Sequence, residues 1–218
     1  MAEALTAIPG VRTAAELSKP TLTVLPELAA LLPGGGLRRG STVSVRGATS
    51  LVLALLAAAT RDGSWAAVTG LPELGLAAAA ELGVDLDRIA LVPEPGAELV
   101  AVVSALVDGF DVVVLGRSAS VQPQTARRLA GRVRNRGTVL LTAGAWPGAD
   151  VELKVSGRRW HGLTQDGHGH LSARNVVATS RGRGAAARPL SVGLVLPGPE
   201  GALAGDPSPG RRLVEVAG

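Results

Sequence analysis

Five short apolar runs, "TVSVRG", "SWAAVTG", "IALV", "FDVVVLG" and "TVLLTAG", recur between residues 42 and 144, separated by segments long enough for helices. A strand buried on both faces reads as a nearly continuous apolar run, and strands alternating with helices close into right-handed βαβ units. After Trp146 the pattern becomes period-two in "DVELKVSGRRWHGL", "GHLSARNVVATS" and "LSVGLVL". Such segments suit antiparallel strands with one buried face, with turns expected at Ser156-Gly157 and "TQDGHGH". The expected fold is α/β: a mostly parallel central sheet flanked by helices, with antiparallel strands added at the C-terminal side.

The intervening helices are read from "PELAALL", ended by Pro33, and from Leu51 to Thr60. Others are "LPELGLAAAAELG", "AELVAVVSALVDG" and the basic "QPQTARRLAGRVRNRG". Three segments result: an N-terminal helical segment over 1–24, the α/β domain over 25–196, and a Pro/Gly-rich flexible tail over 197–218. Of the 218 residues 46% are hydrophobic but only 2% aromatic, so the core is built of Val, Leu, Ile and Ala. The absence of cysteine removes disulfides, thiolate metal sites and a Cys nucleophile. With no basic start before an apolar block and no run long enough to span a bilayer, a cytoplasmic protein is expected.

The stretch "GSTVSVRGATSLVLALLAAATRDG", residues 40–63, is built like the entrance to a nucleotide site: strand, glycine, hydroxyl pair, apolar helix. A phosphate loop needs four residues between its glycines, a Lys for the β/γ oxygens and a Ser/Thr for Mg²⁺. Around Gly47, Ala48, Thr49 and Ser50 the lysine is missing. A gapped register puts Ala48 at the lysine and Thr49 at the hydroxyl; an ungapped one puts Leu53 and Ala54 there. Arg46 precedes the turn, and nothing nearby in sequence replaces the cation. The strand "FDVVVLG" ends in Gly116 where an acid would hold the metal shell, and "AVTGLPEL" offers Gly70 and Pro72 where a Glu would orient water. Loss of all three removes the charge that phosphates require. No cofactor and no catalysis are expected.

"LLPGGGLRRGSTVSVRG", "AAATRDG", "ELGVDLDRIALV" and "ELVAVVSALVDGFDVVVLG" resemble, in order and spacing, the ATPase core of RecA recombinases over roughly residues 25 to 180. Within that superfamily "RVRNRGTVLLTAGAWPGAD", "RWHGL", "GHGHLSARNVVATSRGRGAAARP" and "LVLPGP" are similar to the ImuA-type accessory proteins of damage-induced mutagenesis, in their short actinobacterial form, ImuA-prime. The resemblance implies a RecA-like core and a catalytically inactive adaptor in an SOS-induced translesion synthesis complex, the mutasome. Its implied partners are a Y-family-polymerase-like protein, RecA and an error-prone replicative-type polymerase, with nucleoid association under DNA damage. The alternatives are the damage-induced cell-division inhibitor of the same superfamily and a divergent ATP-binding DNA-repair protein.

Charge is lopsided. Residues 1–116 carry 7 Lys+Arg against 12 Asp+Glu, and the remainder 15 against 6. Candidate contacts to nucleic acid or an acidic partner are Arg127, Arg128 and Arg132 on the basic helix, and Arg181, Arg183 and Arg188 beyond "SARNVVATS". That contact is expected to be weak and without sequence preference. His161, His168 and His170 lack further ligands at suitable spacing, so no metal site is expected. Trp146 and Trp160 are read as core residues first and partner anchors second. In the tail, Arg211, Arg212, Leu213, Val214 and Val216 form a basic-aliphatic stretch suited to docking a partner by strand addition.

Overall fold

The computed structural model describes residues 20–116, 121–164 and 166–206. Strands β1 (Thr21–Leu22) and β2 (Leu37–Arg38) form a small antiparallel ribbon. Between them lie a single helical turn, α1 (Pro26–Ala29), and a 3-10 turn at Pro33–Gly35. The main chain then alternates through β3 (Thr42–Arg46), α2 (Thr49–Arg61), β4 (Ala66–Thr69), α3 (Leu76–Glu81) and β5 (Ile89–Val92). It continues with α4 (Leu99–Gly109), β6 (Val112–Leu115), α5 (Pro123–Arg136) and β7 (Val139–Thr142). Strands β8 (Val151–Leu163), β9 (Gly169–Gly182), β10 (Leu190–Val195) and β11 (Ala204–Gly205) complete the fold.

Nine strands form one sheet in the order β11-β10-β9-β8-β3-β7-β6-β4-β5. Every pairing from β8 through β3 to β5 is parallel, and every pairing from β8 to β11 is antiparallel. The expected mixed architecture is therefore present, with the antiparallel addition on the C-terminal side.

Side-chain alternation divides the core in two. Val43, Val45, Val112, Val114 and Leu141 face the leucines of α2, together with Val176, Ala178 and Leu194 of the antiparallel strands. Val113, Leu115 and Leu140 face α4 and α5 on the opposite side, where Trp146 closes the end of the cluster. Helix α2 explains itself: from Leu51 to Leu56 every residue is buried, so it is a core helix clamped between sheet and antiparallel strands.

At the amino ends of the strands, Arg39 donates to Asp111 at 2.9 Å, both well shielded from solvent. The second Asp111 oxygen accepts from the Trp65 amide at 3.1 Å. This pins the β2–β3 turn to the starts of β4 and β6.

Four expectations change. Ser156-Gly157 is not a turn; β8 runs on through it as a bulge between Ser156 and Arg159, with Gly157 at φ +70°. The helix of "LPELGLAAAAELG" is confined to α3, because Pro72 and Gly75 keep the preceding residues out of it. Residues 197–206, placed with the tail, are part of the fold: a 3-10 turn at Pro199–Gly201 leads into β11, and Leu194 and Leu196 are fully buried beside it. Residues 21–22, placed in the N-terminal helical segment, are strand β1. The helix expected before Pro20 and the tail contacts Arg211, Arg212, Leu213, Val214 and Val216 lie outside the described residues. Among the described residues no helix is long and apolar enough to cross a membrane.

Candidate functional site at the carboxyl edge of the sheet

In an open parallel sheet, ligands bind beyond the carboxyl ends of the strands, where loops lead into helix N-termini. Here β3 reaches α2 through only two residues, Gly47 and Ala48. That is too short for a loop whose backbone amides surround a phosphate. Gly47 has φ +97°, and a Cβ there would lie 2.5 Å from the Val155 carbonyl oxygen of β8. The turn is thus pressed against the neighbouring strand. The helix begins without a side-chain cap, Thr49 exposed and Ser50 half-buried.

The cleft between Val45, Gly47, Thr49 and Ala143 holds about 90 Å³, against the roughly 300–1,000 Å³ of sites for small ligands. Beside it, a groove of about 500 Å³ runs past Leu53, Leu71, Pro72 and Pro197. Among the described residues its charged lining is Glu73 and Glu81, which repel a polyphosphate.

Gly116 stands apart from this cleft, lining a third pocket with Gly70 and Pro72. Its amide donates to the Thr69 carbonyl at 2.8 Å. A Cβ on Gly116 would sit 1.8 Å from the Gly70 oxygen and 2.4 Å from its carbonyl carbon. The space an acidic side chain would need is filled by main chain from the β4 loop. The charge is absent, and so is the room for it.

One cation does arrive at the helix start, from far away in sequence. Arg174 of β9 donates through Nη2 to Ser50 Oγ at 3.1 Å and through Nε to the Leu196 carbonyl at 2.8 Å. Its guanidinium also lies over the Trp160 ring, 5.2 Å from the centroid. The expectation that nothing replaces the lysine is corrected in position but not in chemistry: this arginine staples the antiparallel strands to α2. Only the β8–β9 register, Trp160 opposite Arg174, shows this.

The basic residues separate into distinct groups. Arg132 and Arg136 both grip Asp108 of α4. The Arg132 guanidinium hydrogen-bonded to Asp108 holds its carboxyl below the usual value, with Arg136 adding to the effect. Arg127 and Arg128 are exposed on the same helix, without an ion pair among the described residues. Arg183 donates to the carbonyls of Gly148 and Ala149, a structural role. Arg181 and Arg188 remain exposed. Of the tryptophans, Trp146 is buried, whereas Trp160 is 41% exposed. His161 bonds Asn175 at 2.6 Å, and the described residues contain no group of three His, Asp or Glu able to hold a metal ion.

Residues 30–148 match the family described as the MT3502 N-terminal domain. The chain is 38% identical over 163 residues to the uncharacterized protein Rv3395c of Mycobacterium tuberculosis, covering 70% of this chain and 80% of that protein.

Proposed function

We propose that this chain, which belongs to the MT3502 N-terminal domain family, is a catalytically silent RecA-like adaptor that works by binding other proteins. The observation that carries the reading is the backbone contact of Gly116 with Gly70, which leaves no place for a metal-holding acid. The two-residue turn at Gly47-Ala48 and the acidic groove beside it weigh the same way against a nucleoside triphosphate. A buried α2 and a complete two-sided core support an intact fold available for binding other proteins. The sequence resemblance supplies that use: scaffolding of a damage-induced mutagenesis complex beside a Y-family-polymerase-like protein, RecA or an error-prone polymerase.

Isothermal titration with Mg-ATP tests the silent half of this reading. No heat at millimolar ligand is expected; micromolar affinity, or a stabilisation of about 2.7 kcal/mol at hundredfold ligand excess, overturns it. Co-purification with the Y-family-like protein tests the adaptor half, and a chain that never co-purifies with any of the three partners is not this adaptor.

A further inference from the structure

The antiparallel strands bury only one face. On β8, Val151, Leu153 and Val155 point into the core beneath α2, while Glu152, Lys154 and Ser156 are exposed. On β9, Val176, Ala178 and Ser180 are buried, and Val177 and Arg181 are exposed. The register sets these outward residues side by side: Arg46 opposite Lys154, Lys154 opposite Thr179, Glu152 opposite Arg181, and Thr179 opposite Ser191. Outward positions recur about every 6.7 Å along each strand and 4.8 Å between strands. None of Arg46, Lys154 and Arg181 takes part in an ion pair among the described residues. Arg188 is exposed just ahead of β10, at the same end as Arg181.

We propose that this outer face of β3, β8 and β9 binds the phosphate backbone of nucleic acid without reading its sequence, through Arg46, Lys154, Arg181 and Arg188. The face combines long cations with the hydroxyls of Ser156, Thr179 and Ser191, the set that contacts phosphate and sugar oxygens. A protein interface would want an apolar or aromatic centre; between Glu152 and Ser156 and their partners Val177 to Arg181 the one large exposed apolar side chain is Val177. Glu152, paired opposite Arg181 within this group of cations, limits affinity and marks the position where affinity can be raised. The inference holds whether or not the chain joins a mutagenesis complex.

Fluorescence anisotropy of the full chain with a labelled thymidine oligonucleotide tests it. Binding is expected at low salt, weakening with a log–log salt slope of about −3 for four phosphate contacts on a single strand. The double variant Lys154→Glu/Arg181→Glu should bind about tenfold more weakly and flatten the slope by about one. Glu152→Gln should bind about threefold more tightly, since it removes a like charge from among the cations. Arg132→Ala, whose guanidinium is held by Asp108 on the helical side, should leave binding unchanged. All these positions are exposed, and unchanged melting temperatures confirm folding. Absence of binding at low salt overturns the proposal, as does equal loss in Arg132→Ala or no gain in Glu152→Gln. Polyglutamate binding as tightly as the oligonucleotide would reassign the face to an acidic protein.

Discussion

The parallel half of the sheet, β3 to β7, and the antiparallel half, β8 to β11, handle the same problem in opposite ways. Parallel strands β4, β6 and β7 are buried along their whole length, and the carboxyl edge, where such sheets ordinarily hold ligands, is tightly packed at Gly47 and Gly116. The antiparallel strands are covered on one face only. These strands contribute Trp160, Leu163, Leu171, Val177 and Leu190, five of the nine large hydrophobic residues exposed among the described residues. Exposed apolar and basic surface thus lies on the antiparallel strands rather than at the carboxyl edge.

The difference can be broken most forcefully at Asp111. Asp111→Ala leaves Arg39, only 13% exposed, without its counter-charge, and should cost about 3–5 kcal/mol in urea unfolding. A loss below about 1 kcal/mol would mean that the amino edge is not locked as described. Next comes Gly116→Ala, expected to destabilise by roughly 3 kcal/mol because the added methyl meets main chain. Gly131→Ala, in α5 with open space around it, should instead stabilise by about 0.5–1 kcal/mol. If both glycines respond alike, the carboxyl edge is not closed. In the antiparallel half, Leu163→Ser at a 54% exposed position should shift stability by no more than about 0.5 kcal/mol; a larger loss would place that hairpin in the core.

The smallest effect is electrostatic. Asp108 has its carboxyl lowered by Arg132, so its contribution is present above the ordinary value of 3.8 and is lost as pH falls through the lowered folded value. Carboxyl chemical shifts followed through acid titration should show that lowering, and Arg132→Ala should return Asp108 towards 3.8. An Asp108 titration identical in both proteins would remove the Arg132–Asp108 contact from the account.

Much of the parallel half was legible because strands buried on both faces leave continuous apolar runs, and "FDVVVLG" and "TVLLTAG" lie where β6 and β7 form. The bulge at Gly157 was misread as a turn, since a glycine with positive φ serves either purpose and only the partner strand distinguishes them. The segment after Pro197 was misread from its Pro/Gly composition, although Leu194 and Leu196 draw it against the core. The grouping of Arg46 with Lys154 and Arg181 depends on register, which no local pattern reveals. At the candidate site, the missing lysine and acid were visible as letters. The main chain occupying the acid's place was not, because Gly70 and Gly116 are distant in sequence and equally mute.

The contact between Gly70 and Gly116 also bears on whether residue 116 could ever carry a charged side chain. A site emptied of its charged side chains is one or two codons from recovery, and drift could reopen it. Here the vacancy has been taken up by peptide groups 1.8 Å from where a new side chain would start, so an acid at residue 116 would first have to evict the β4 loop. Making that room would require the loop to lengthen and the strand ends to separate together. Each step alone would lower stability, which makes the closed edge a ratchet rather than a setting.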